Sequence, residues 1–98
     1  MAVDGTWTIT MQTPLGERTS SLALKSSGND LSGTQSAEGN STDIFDGAVK
    51  GNDVTWKLKI VNPMPLTLEF TGSVDGNSMS GRVSAGMIGS WNFAGTRA

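Results

Sequence analysis

Phe45-Asp46-Gly47-Ala48-Val49-Lys50-Gly51-Asn52-Asp53-Val54 recurs in outline as Phe70-Thr71-Gly72-Ser73-Val74-Asp75-Gly76-Asn77-Ser78-Met79. Each copy is a short run of strand-forming residues, a Gly-Asn pair and a second such run. A third Phe-x-Gly stands at Phe93 and Gly95, and a looser copy, Leu24 to Leu31 with Gly28-Asn29, comes before them. The repeated unit reads as a β-hairpin. Glycine in the first place of a two-residue loop suits a type II′ turn, which needs positive φ there. The pairing that follows sets Val49 against Val54, Gly47 against Trp56 and Phe45 against Leu58.

Outward from these hairpins, strands are predicted over 5–14, 17–26, 30–37, 42–50, 53–62, 66–75, 78–85 and 89–97. The remaining connections fall at Leu15-Gly16, Glu38 to Thr42, Pro63-Met64-Pro65 and Gly86 to Ile88. No segment shows a helical period, and no linker divides the chain, so residues 1–98 read as a single domain. Alternation sorts the side chains onto two faces. One face collects Trp7, Ile9, Met11, Leu22, Leu24, Val54, Trp56, Leu58, Ile60, Leu66, Leu68 and Phe70; Thr6, Thr8, Thr10, Thr55, Lys57, Lys59, Thr67, Glu69 and Thr71 take the other. With no helix to cover the apolar face, the sheet must close on itself or fold into a sandwich. The expected fold is therefore all-β, an antiparallel up-and-down barrel of about eight short strands; the alternative is a β-sandwich. The same register sets Trp56 beside Gly47 and Gly72, and Gly72 opposite Gly81, a belt of inward glycines around a large indole. Barrel curvature is a second reason for glycines there.

Composition narrows the function. The 98 residues contain no cysteine, histidine or tyrosine, so disulfides and the usual zinc and copper sites are excluded. A formal net charge of −2 without a basic run is not the footprint of a nucleic-acid binder. No apolar stretch is long enough for a helical membrane span. The first residues lack the charged and apolar regions of a signal peptide, which favours the cytoplasm. Ser20 and Ser41 have no histidine to activate them, and no helix follows the glycine turns to cap a phosphate. No metal or cofactor is expected.

Gly5-Thr6-Trp7 on the first strand and Arg97 on the last resemble the calycin superfamily of lipocalin, fatty-acid-binding and avidin-like barrels. In that superfamily a Gly-x-Trp on strand one packs beside a basic residue of the final strand at the closed end. The resemblance covers Gly5, Trp7, Arg97 and the strand plan, and it implies a closed barrel with a ligand at its open end. The chain differs from secreted lipocalins in lacking their terminal helix and cysteines, and its strands are short.

The termini and the Gly-Asn turns fall at one end of such a barrel, and the longer connections at the other. Inward positions near that open end include Met11, Arg18, Ser20, Gln35, Asp43, Ile60, Asn62, Leu68, Val83 and Trp91, apolar walls with a few convergent polar groups. Three readings stand. The barrel binds a small apolar or amphipathic molecule through Met11, Arg18, Gln35, Asp43, Leu68 and Trp91. It is a cofactor-free lyase, isomerase or cyclase using Asp43 as base beside Arg18. Or it is a structural or assembly module with a filled core. A homodimer is a further expectation, because parity turns Ile44, Val61 and Ala94 outward beside Leu15 and Met64.

Overall fold

The computed structural model describes residues 3–13, 16–37, 39–60, 66–86 and 89–98. Nine strands follow one another: β1 (Gly5–Thr13), β2 (Gly16–Ser27), β3 (Asp30–Ala37), β4 (Asn40–Asp43), β5 (Phe45–Lys50), β6 (Asp53–Ile60), β7 (Leu66–Asp75), β8 (Ser78–Ser84) and β9 (Ser90–Arg97). Every pairing is antiparallel. The ring runs β1-β2-β3-β5-β6-β7-β8-β9 and closes where β9 meets β1, with Trp7 paired to Arg97. The short β4 lies along the upper part of β3 and continues the line of β5. Closure removes the sandwich alternative, and no free sheet edge is left around the eight-stranded ring.

The hairpin reading holds at three turns. Ser27 pairs with Asp30, Lys50 with Asp53, and Asp75 with Ser78, leaving two-residue Gly-Asn loops. Gly28, Gly51 and Gly76 have φ of 63°, 61° and 63°, whereas none of the following asparagines is in the positive-φ region, the type II′ pattern. These turns also knit the end of the barrel. The Asn29 carbonyl accepts from Val49 N at 2.9 Å, that of Asn52 from Val74 N at 2.8 Å, and that of Asn77 from Arg97 N at 2.9 Å. Where the first and last strands leave no fourth Gly-Asn turn, the Asp4 carboxylate accepts from Ser26 N at 2.9 Å and does the same work.

The core is the barrel interior. Trp7, Ile9, Leu22, Leu24, Val54, Trp56, Leu58, Leu68 and Phe70 are all buried, as alternation requires. Gly33, Gly47, Gly72, Gly81 and Gly95 come to nearly one level of the ring, where the bulk is supplied by Trp7 and Trp56. A Cβ at Gly33 would run into the Ala23 carbonyl oxygen, and one at Gly81 into that of Thr71. The glycines therefore let neighbouring strands bend closely past each other. The belt is assembled differently from the expected one, and the bulge interrupts the pairing expected between Gly47 and Trp56. Gly72 pairs with Gly81 as foreseen, but Trp56 pairs with Phe70, and Val54 takes the place opposite Gly72. A shift by two residues keeps every side chain on its face.

A bulge overturns part of the parity on the fourth predicted strand. Asp46 adopts φ of 50°, and the β5–β6 register slips by one residue between Phe45 and Ala48. Below the slip Val49 points inward; above it the faces exchange. Phe45 pairs with Lys57 instead of Leu58 and is 39% exposed, while Ile44 is buried. The outward patch expected around Ile44 thus loses its centre. Ala94 is exposed as expected, and Leu15, Val61 and Met64 lie outside the described residues.

Candidate functional site

At the turn end the interior is sealed. Trp7 donates its indole N–H to the Val3 carbonyl at 2.9 Å. Arg97 lies over the Trp7 ring, its Cζ 4.4 Å from the centroid, and donates through Nη1 to the Asp4 carbonyl at 2.6 Å and through Nε to Asn77 Oδ1 at 3.2 Å. The middle of the lumen is filled by aromatic rings. Trp56 and Phe70 stack with centroids 4.9 Å apart and planes 10° from parallel, and Phe93 meets both edge-on.

Above this aromatic floor the character of the wall changes. Leu58, Leu68 and Val83 continue the apolar lining, but Met11 and Trp91 are only half-buried against the core, which marks where the lumen meets solvent. Two polar side chains are buried on the inner wall, Ser20 and Gln35, at 6% and 5% exposure. Gln35 Nε2 donates to Ser20 Oγ at 2.9 Å. Gln35 Oε1 and the indole nitrogens of Trp56 and Trp91 are buried without a hydrogen-bond partner. Such groups are uncommon in folded proteins, since each unmade bond costs on the order of 1–3 kcal/mol.

No family model matches this chain, and no curated protein does either. The reading of the site therefore rests on its own chemistry.

Of the residues expected at the open end, Gln35 and Leu68 are buried, and Met11 and Trp91 are half-buried against the core. Arg18 and Asp43 do not join them. Arg18 pairs with Met11, so its parity is inward, yet it sits near the end of the strand with its side chain exposed. Asp43 is displaced by the bulge: it pairs with Thr34 on the outer face, is exposed, and accepts from Thr34 Oγ1 at 3.1 Å. The inward placement of Asp43 is thus corrected by the one-residue slip, whereas Arg18 keeps its inward parity and is exposed. Among the described residues no acidic or basic side chain is buried. The Asp43–Arg18 arrangement required for general-base chemistry in the lumen is not formed. Asn62 lies outside the described residues, and for Ile60 only the backbone is described.

Sequence reasoning placed Ser20 inside without pairing it to Gln35. Their partnership was hidden because they sit on neighbouring strands two residues out of register, Leu22 being the residue opposite Gln35. The outer wall carries a shallow groove of about 220 Å³ near Asp46, Thr55, Lys57, Glu69 and Thr71. There Lys57 Nζ stands 3.6 Å from Asp46 and 3.8 Å from Glu69, charges that answer one another in solvent.

Proposed function

We propose that this protein is a calycin-like barrel that binds a small, largely apolar molecule in the upper part of its lumen. The observation that carries the reading is the half-burial of Met11 and Trp91 against a closed barrel's core, with a buried polar pair, Gln35–Ser20, on the same inner wall. Small-molecule sites combine apolar surface with a few placed hydrogen-bonding groups in the same way. The packing of Arg97 over Trp7 agrees with the calycin resemblance and seals the other end. Binding is favoured over catalysis because the wall offers no buried acid or base among the described residues.

The filled middle of the barrel limits the ligand to the top layer, so a compact molecule suits it better than a long chain. Tryptophan emission titrated with the neutral dye Nile red tests this, using wild-type protein, Trp91→Phe and Met11→Trp. Saturable binding that loses part of its emission change in Trp91→Phe and is blocked by the bulky Met11→Trp supports the site. Absence of saturable binding by wild type, or binding indifferent to both changes, overturns it and favours the filled assembly module.

A further inference from the structure

The β5–β6 ladder ends at Phe45 and Lys57, and above that level β4 takes the place of β5 in the circuit of strands. β4 is paired along one edge only, with Asp43, Thr42, Ser41 and Asn40 opposite Thr34, Gln35, Ser36 and Ala37 of β3. Its other edge looks across to β6. Cα atoms of the two strands come within 8 Å of one another, yet no ladder joins them among the described residues. Ser41, Thr42 and Asp43 are all exposed, Thr42 included, although it stands opposite the buried Gln35. A short strand held by one ladder, with these side chains in solvent, belongs to the least stable part of a sheet.

The two sides of this seam are in phase for pairing. Ile44 N donates to the Gly33 carbonyl at 3.0 Å, so its backbone groups face β3. Successive residues of a strand turn these groups to opposite edges, so those of Asp43 and Phe45 face β6. Phe45 meets Lys57 there. The same register carried two residues further sets Asp43 opposite Lys59, with Ile44 opposite Leu58 between the two pairs. The faces agree, since Ile44 and Leu58 are buried while Asp43 and Lys59 are exposed. The charges agree as well, and opposite charges directly across a ladder favour its formation. Lys57 is already engaged by Asp46 and Glu69, and Asp43 accepts only from the neutral Thr34 hydroxyl on the β3 side.

We propose that β4 is a strap that closes on β6, extending the β5–β6 ladder through Asp43 and Lys59 and completing the barrel wall at this level. On closure the backbones of Asp43 and Lys59 exchange two hydrogen bonds, and the Asp43 carboxylate turns from Thr34 to the Lys59 ammonium. Ile44, anchored in the core, and the bulge at Asp46, with its φ of 50°, form the pivot. The open strap leaves Thr42 and the wall beside Gln35 in contact with solvent; the closed one covers that side of the barrel. This inference goes beyond the ligand reading and does not rest on it, because the seam opens and closes whatever the lumen holds.

Amide exchange followed by NMR at low salt tests the closure in wild type, Asp43→Lys, Lys59→Asp and the two changes combined. The Phe45 amide, already within the ladder, is the internal reference. The expected result is exchange of the Asp43 and Lys59 amides several-fold slower than in a free chain. Either single charge reversal removes most of this slowing, and the combined variant restores it. Exchange at the free-chain rate in wild type overturns the strap, and so does slowing that both single reversals leave untouched. Where a reversal also strips protection from Phe45, the fold itself has been disturbed and a second measurement decides. The chain contains no cysteine, so a disulfide trap is free of competing thiols. Asp43→Cys with Lys59→Cys should oxidise at least about tenfold faster than Ser41→Cys with Lys59→Cys, because only the first pair is brought within disulfide reach by the closed register. Equal rates for the two pairs overturn the proposal.

Discussion

Arg97 covers the Trp7 ring from 4.4 Å and binds the Asp4 carbonyl, so the last strand and the segment before the first are held by one guanidinium. Cation–π contact and charge-assisted hydrogen bonding act together here. Arg97→Ala should destabilise the domain by about 1–3 kcal/mol in urea unfolding. Arg97→Lys should recover only part of this, because an ammonium cannot cover the ring and reach both Asp4 and Asn77 with a planar fork. Full recovery by lysine would reduce the contact to simple charge.

Asp4 makes the same closure sensitive to acid. Hydrogen bonds from the Ser26 hydroxyl, and then from its backbone N–H, hold the Asp4 carboxyl below its ordinary value of 3.8. A carboxyl lowered in the folded state contributes stability that is complete above the unfolded value and is lost as pH falls through the folded one. Asp4→Asn should therefore lower the thermal midpoint at pH 6, and the difference from wild type should shrink as pH falls through the lowered folded-state value of Asp4. A difference that stays constant across this range would assign the loss to shape instead of charge.

The glycine belt ranks its own substitutions. At Gly33 and Gly81 a methyl would meet carbonyl oxygens of the adjacent strand, which move only with the backbone. Gly33→Ala and Gly81→Ala should each cost roughly 1–3 kcal/mol. At Gly95 the nearest atom to an added Cβ is Ile9 Cδ1, 2.6 Å away, the tip of a side chain that can turn aside. Gly95→Ala should be the mildest of the three by chemical denaturation. A reversed order would refute the close strand approach as the reason for the belt.

Asp46 tests the bulge. Its φ of 50° is a conformation that aspartate tolerates and β-branched residues resist. Its ion pair with Lys57 is largely exposed and adds little. Asp46→Gly should leave stability within about 1 kcal/mol of wild type, whereas Asp46→Val should be clearly destabilising in the same urea titration. Tolerance of valine would mean that the slip can move to another residue.

The architecture was legible because its signals are local. Alternation set the faces of the strands, glycine before asparagine announced three II′ turns, and Trp7 with Arg97 marked the sealed end. The first two act over two to four residues, while Trp7 with Arg97 was read through the resemblance. The burial or half-burial of Met11, Gln35, Leu68 and Trp91 followed from parity alone, since their strands keep an unbroken register from the hairpin turns.

Parity fails where a strand carries one residue too many. The bulge at Asp46 exchanged the faces of Asp43, Ile44 and Phe45, and an aspartate before a glycine does not declare it: Asp75-Gly76 has the same order and forms an ordinary turn. Arg18 keeps its inward parity yet is exposed, because alternation assigns a direction but not the depth at which a long charged side chain can reach water. The sequence by itself determined the strands, their turns and most of the core, through backbone preferences that each short segment expresses alone. Only the closed ring decided which charges stay outside and that Ser20 meets Gln35. Those relations depend on the register between strands, and register is settled by packing around the whole circumference.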